Sequence, residues 1–238
     1  MFTERVRLPS GDYCFWTQTS ELKDRNAEDQ LVDILTDTFF LNPVYIALYP
    51  TPDEKERRKE INMRVRNYLR SNEEHSLTLI HENNSDPNGK KVTTIIGHAF
   101  MTPKPSIGLK PSEAILSIDP MPMSPKQRTF TEDVWDKIYK DVVEKDPDLM
   151  CGYYCVGLVG IATSFRSQGI GEIMLKELLI RKDKKDGRLI RLYTQEPRIA
   201  SALKNVGFQI IDECKINVTH KNTSFWNFTL KRMPNTPF

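Results

Sequence analysis

Apolar positions along the chain follow two spacings. Alternating or β-branched runs at 13–18, 76–81, 92–100, 153–161, 189–193, 208–218 and 225–230 read as strands. Helical spacing puts Leu31, Ile34, Leu35, Thr38 and Phe39 on one stripe, which stops before Asn42-Pro43, where proline disfavours a helical residue ahead of it. A second helix is predicted over 53–69, its start marked by Pro52 and the acidic pair Asp53-Glu54. Further helices are predicted over 131–144, with Val134, Trp135, Ile138 and Val142 on one side, over 170–181 and over 198–206. The turn-rich segment 83–89 joins the second and third strands as a hairpin with a long loop. Between about 102 and 130 the chain is proline-rich and aperiodic, which predicts an irregular insertion with a short strand at 114–118. Strands at both ends with helices between them predict an α/β architecture. Residues 1–238 would form a single domain, a mixed central sheet of about seven strands flanked by helices on both faces.

Composition narrows the setting. The chain has 238 residues, 39% of them hydrophobic, enough for one large core and against global disorder. Lys+Arg number 34 against 32 Asp+Glu, and the net charge of +2 gives no whole-chain reason to bind nucleic acid or an anionic membrane. The predicted helix 53–69 carries Lys55, Arg57, Arg58, Lys59, Arg64 and Arg66. Asp53, Glu54, Glu56 and Glu60 interleave with them at helical-neighbour spacing, which predicts a solvated, ion-paired face. No apolar run reaches the ~20 residues that span a bilayer, and residues 1–7 lack a basic-then-apolar signal, so a cytoplasmic protein is expected. Cys14, Cys151, Cys155 and Cys214 form no C-x-x-C pair. Cys151 and Cys155, four apart on a strand, would stand ~13 Å from each other, too far to share a zinc ion. Reduced thiols and no metal site are expected.

The informative stretch is 158–175, where a strand runs into a turn with Gly169 and Gly171 and a helix opens at once. Glycines let backbone N–H groups face a ligand with no Cβ in the way. A helix start adds unsatisfied donors and a partial positive charge. Together they make a seat for a phosphate or pyrophosphate, although two glycines alone also fit a helix start with no ligand. A nucleotide P-loop is excluded because no Gly-Lys-Ser/Thr occurs, and the spacing Arg166-x-x-Gly169-x-Gly171 is not the dinucleotide-binding fingerprint.

Arg166-Ser-Gln-Gly169-Ile-Gly171 after a hydrophobic strand resembles the acyl-coenzyme-A loop of the GCN5-related N-acetyltransferases. Leu192-Tyr-Thr194 followed by Ala202-Leu-Lys-Asn-Val-Gly207-Phe208 resembles the next block of that family. Thr38-Phe-Phe-Leu-Asn-Pro43 is similar to the entry region of the insect-type arylalkylamine N-acetyltransferases. The resemblance implies the acyl-CoA N-acyltransferase fold, acetyl-CoA as co-substrate, and direct transfer of the acyl group to the amine of a small molecule. It also implies a cofactor site on Val159, Ile161, Arg166, Ser167, Gln168, Gly169, Ile170 and Gly171. There the N–H groups of 168–171 would receive the pyrophosphate, with Arg166 beside it and the pantetheine arm along Val159 and Ile161.

Two departures leave the catalytic groups unassigned. The subgroup's Glu before Pro is Asn42 here, which accepts no proton at neutral pH, and the Tyr that many members carry before the Gly-Phe turn is Leu203. His98, Tyr153, Tyr154 and Asp37 are substitute candidates, beside a water chain. The departures also keep two other readings open: a catalytically degenerate acyl-CoA-binding or interaction protein, and a protein-lysine acetyltransferase.

Overall fold

The computed structural model describes residues 5–8, 11, 13–19, 22, 25–49, 51–71, 76–83, 92–104, 124–136, 138–150, 152–185, 187–218 and 223–238. Four strands, β1 (Arg5–Arg7), β2 (Tyr13–Gln18), β3 (Ser76–Asn83) and β4 (Val92–Lys104), run antiparallel in chain order. β5 (Tyr153–Val156) lies antiparallel to β4, and the two-residue β6 (Gly160–Ile161) pairs with β4 further along. β7 (Ile190–Thr194) joins β5 in parallel, and β8 (Gln209–Val218) and β9 (Thr223–Arg232) close the far side as an antiparallel pair. Among the described residues the result is one nine-stranded sheet ordered β1-β2-β3-β4-β5-β7-β9-β8, with β6 off this path on β4.

The helices are α1 (Arg25–Phe39), α2 (Pro43–Leu48), α3 (Glu54–Ser71), α4 (Pro125–Phe130), α5 (Pro147–Met150), α6 (Ile170–Lys185) and α7 (Pro197–Leu203). Wider, π-type turns at Thr131–Asp136 and Tyr139–Val143 follow α4. On one side of the sheet Met174, Leu175, Leu178 and Leu179 of α6 pack with Trp16, Leu77, Ile96 and Met101. On the other side Leu31 and Leu35 of α1 and Ile61 and Val65 of α3 pack with Ile95. A third cluster joins Val44 and Ala47 of α2 and Phe130 of α4 to Ile216 and Val218 of β8. Each such leucine contributes ~1.5–3 kcal/mol by leaving water.

The expectation of a mixed sheet covered on both faces holds, with more strands than the pattern showed. β1 is too short to display an alternation. The run 153–161 is not one strand: it breaks at 157–159 between β5 and β6. The segment 102–130, expected to be irregular, is regular at both of its described ends. β4 continues to Lys104 alongside β5. Ser124 opens α4 through a reciprocal cap, its Oγ accepting from the Gln127 N–H while Gln127 Oε1 accepts from the Ser124 N–H. The strand expected at 114–118 lies outside the described residues.

The charged face of α3 is ion-paired, but mainly across to α1. Arg66 meets Glu28 and Asp29, Arg70 meets Glu28, and Arg58 meets Asp37. Cys14, Cys155 and Cys214 are free thiols, and Cys151 lies outside the described residues. Among the described residues no helix is long and apolar enough to cross a membrane.

Candidate functional site

The break at 157–159 creates the site. β5 and β7 pair only at Tyr154↔Ile190 and Cys155↔Arg191, after which the two lines part. The β5 line stays with β4, held by the Gly157 N–H on the Phe100 carbonyl and by the Gly97↔Ile161 and His98↔Gly160 pairs. β7 follows β9 instead, as far as Thr194↔Phe228. A cleft of about 510 Å³ opens between them. Gly157, Val159 and Ile161 line one wall, Leu192, Tyr193 and Thr194 the other, and Leu175, Ala202, Leu203 and Val206 the helical side.

Gly157 has no room for a side chain. A Cβ there would overlap the Phe100 ring and stand 2.5 Å from the Tyr68 hydroxyl, in an edge-on Tyr68–Phe100 pair with ring centroids 4.6 Å apart.

One end of the cleft is the start of α6. The chain turns there through two left-handed residues, Ser167 at φ 62° and Gly169 at φ 74°. The first bonds of the helix return from the Glu172 and Ile173 N–H groups to the Gly169 carbonyl. The N–H groups of Ile170 and Gly171 therefore belong to the first turn, which offers donors outward. A Cβ on Gly169 would meet no atom within 4 Å, so the space before the helix is open.

The eight residues expected at the cofactor site divide. Val159, Ile161, Arg166 and Gly171 line the cleft. Ser167 and Gly169 are exposed on the turn, and Gln168 folds back, donating from Nε2 to the Ser164 carbonyl at 3.2 Å. Ile170 presents only its backbone, since its side chain is buried in the core. The Arg166 Nε donates to the Ile161 carbonyl at 2.9 Å and its Nη2 to Thr38 Oγ1 at 3.3 Å. Thr38 in turn donates to the Ile34 carbonyl at 2.7 Å, which ties the turn to α1.

The opposite wall is the junction of α1 and α2, with Thr38, Phe39, Leu41 and Asn42 facing the cleft. Phe39 stacks on Tyr45 at 5.0 Å, whereas Phe40 turns away beneath the Arg57 and Arg58 guanidinium groups. Asn42 caps α2, its Oδ1 accepting from the Val44 N–H at 2.9 Å, an ordinary use of asparagine at that position. Its Nδ2 donates to Gln195 Oε1 at 3.1 Å, Gln195 Nε2 donates to Asn227 Oδ1 at 2.9 Å, and Asn227 Nδ2 reaches Thr229 Oγ1 at 3.5 Å. This run of oriented amides crosses from α2 to the buried face of β9.

The substitute catalytic candidates do not gather in the cleft. His98 is fully buried between β3 and β6, 3.3 Å from Thr78 Oγ1, and burial lowers its pKa from 6.5 to about 3, so it is neutral at pH 7. Tyr153 is buried and its hydroxyl accepts from Arg191 Nη1 at 2.8 Å; Tyr154 is buried beneath the Lys182 ammonium. Asp37 is engaged by Arg58. Leu203 does line the cleft, where it presents an apolar surface.

Three polar residues in this site had no place in the sequence reading: Gln195, Glu196 and Asn227. The signal was the Thr194-Gln-Glu196 run directly after a strand, where loop residues reach a sheet's carboxyl end. Asn227 stood only in an Asn-x-Thr triplet, and its complete burial makes it a structural amide.

No family model matches the chain, and no curated protein sequence matches it. Solved structures do. Mosquito arylalkylamine N-acetyltransferase like 5b aligns with a TM-score of 0.61 at 11% identity, covering 92% of this chain and 99% of that one. Arylalkylamine N-acetyltransferase 2 from Aedes aegypti gives a TM-score of 0.59 at 12% identity, covering 93% and 99%. An agmatine N-acetyltransferase gives a TM-score of 0.53 at 14% identity, covering 92% and 99%. At these identities the likeness is one of fold, and it agrees with the resemblance carried by Arg166–Gly171 and Gly207-Phe208. The chain has the fold of the GCN5-related N-acetyltransferases, a mixed sheet opened between two parallel strands with a glycine-started helix at the mouth of the opening.

Proposed function

We propose that the chain is an acyl-CoA-dependent N-acetyltransferase, acting on the amine of a small molecule, with residues 1–238 as one catalytic unit. The observation that carries this reading is the cleft between β6 and β7, which ends on the open, glycine-bearing first turn of α6. The residues present fit acetyl-CoA. An open space before a 16-residue helix suits a pyrophosphate, which the Ile170 and Gly171 N–H groups and the Arg166 guanidinium would hold. The Gly157 N–H is taken by the Phe100 carbonyl, but the backbone at 158–159, outside the ladders of β5 and β6, would offer hydrogen-bonding groups to the pantetheine arm beside Val159 and Ile161.

When bound, acetyl-CoA supplies the thioester whose acyl carbon the amine attacks. The chain's own residues orient and dry that site. Leu192, Leu203 and Val206 exclude water along the donor side, and the amides of Asn42 and Gln195 fix the acceptor side. A backbone N–H at 158–159 would bond an oxygen that gains negative charge. Asn42 and Leu203 take up and give no proton, so the amine proton leaves by another group or by water.

Calorimetry with acetyl-CoA, followed by thiol release in the presence of an amine panel, tests the reading. The wild type should bind and turn over. Gly169→Glu should bind nothing, because its carboxylate fills the anion seat with like charge; unchanged affinity in that variant would refute the site. Binding without turnover of any amine supports the second reading, a degenerate acyl-CoA-binding protein, which the amide at 42 and the apolar residue at 203 favour.

A further inference from the structure

Two carboxylates line the cleft, Glu172 and Glu196, and their surroundings differ. Glu172 stands in the first turn of α6, and its Oε1 is 2.8 Å from Lys176 Nζ, so its charge is balanced at the end that suits a phosphate. Glu196 stands where the chain leaves β7. The residue before it, Gln195, is gripped by Asn42 on one side and Asn227 on the other. The Glu196 N–H is held by Thr194 Oγ1 at 3.2 Å. Its backbone is thus anchored from both directions.

Among the described residues the side chain makes no hydrogen bond or ion pair. Glu196 occupies the position that caps α7, yet it makes no side-chain cap. The cation of the cleft, Arg166, is committed to Ile161 and Thr38. Beside Glu196 the cleft's edge carries Leu41, 74% exposed, and Ile199, 50% exposed. Glu196 is exposed at this edge, so its carboxylate can be reached from solvent by a cation entering the cleft.

We propose that Glu196 is the acceptor-binding residue of this cleft, its carboxylate receiving the ammonium group of a cationic amine. The proposal rests on the acyl-transfer reading above and adds the residue that selects the acceptor's charge. Primary amines, with pKa values near that of lysine at ~10.4, arrive protonated at neutral pH. A cleft with no anion at its acceptor end would hold them less tightly. Glu196 supplies that anion opposite the donor end, and the Gln195 and Asn42 amides beside it hold the approach.

The test uses wild type, Glu196→Gln and Glu196→Asp with acetyl-CoA and with 2-phenylethylamine, tryptamine, agmatine and spermidine. Calorimetry should show equal acetyl-CoA affinity in all three. Glu196→Gln should raise the KM for a cationic acceptor about ten- to hundred-fold, and Glu196→Asp should recover part of the loss. The difference between wild type and Glu196→Gln should shrink as salt rises from 20 to 500 mM, which a structural role would not produce. An active wild type matched by Glu196→Gln within twofold overturns the proposal. So does a wild type that binds acetyl-CoA but none of the four amines, with the acyl-donor reading left standing. A wild type that fails to bind acetyl-CoA overturns that reading itself, and this proposal with it.

Discussion

The Arg166 guanidinium is already bonded to the Ile161 carbonyl and to the Thr38 hydroxyl, so a phosphate bound beside it would meet it in an orientation set by α1. Arg166→Ala should weaken acetyl-CoA binding by ~1–3 kcal/mol, the range of a charge-assisted hydrogen bond. Thr38→Val, which removes only the hydroxyl, should weaken it less; calorimetry on both variants checks the order. His98 gives a prediction in stability. Its folded pKa of about 3 lies below its free value of 6.5, because burial disfavours the charged ring. The unfolded chain therefore binds the extra proton between those values, and stability falls as pH drops through the window from 6.5 towards 3, by up to ~1.4 kcal/mol per unit. Urea melts from pH 7 to pH 4 should show this slope in the wild type and a flatter one in His98→Leu. Single residues also mark the limit of sequence reading. Arg166, Gly169 and Gly171 were legible because a turn and a helix start are local. Gln195 and Asn42 were not legible as a pair, since 153 residues separate them and only the folded sheet brings their amides within 3.1 Å.

Among the elements, the broken strand at 157–159 decides the most. In the side-chain pattern of 153–161 Gly157 and Gly160 alone hint at the break, because both halves stay beside β4 and the other residues do not interrupt the run. The cause lies in the neighbour, as β7 abandons β5 after Arg191. Gly157 is the residue that lets the β5 line pass close to Phe100 and Tyr68. Gly157→Ala should destabilise by ~1–3 kcal/mol through overpacking and should reduce acetyl-CoA affinity, because the displaced segment lines the cleft; thermal melts and calorimetry read the two effects. β1 escaped notice for a plainer reason, being three residues long. The cap at Ser124 and Gln127 was in plain view, four residues inside a proline-rich stretch whose irregularity masked it. The element order, strand–helix–strand through α6, was the most legible part, since a parallel pair requires such a crossover.

The whole molecule is held by contacts between distant parts of the chain. Lys231 of β9 places its ammonium 2.6 Å from Asp146 and 3.0 Å from Asp148, which flank the start of α5. Burial opposes both charges. The bonds between them outweigh it, together with those from the Asp148 and Leu149 N–H groups to Asp146, so the Asp146 carboxyl sits below and the Lys231 ammonium above its usual range. The Asp146 contribution is present above the ordinary carboxylate pKa of ~3.9 and is lost as pH falls below it. Lys231→Met should lower stability by ~1–3 kcal/mol at pH 7, and the gap to wild type should narrow by pH 2.5 in urea melts. The cleft has the same long-range character. Its walls come from 38–42 and from 157–206, and the Arg166–Thr38 and Asn42–Gln195 bonds that join them close loops of 128 and 153 residues. During synthesis, then, the cleft is finished only after β9 and its Asn227 have left the ribosome. Any ligand that fills it recognises the completed chain alone. At a hundred times its dissociation constant such a ligand would add ~2.7 kcal/mol to the folded state, so an acyl donor that filled the cleft would lengthen the survival of each copy in step with its supply.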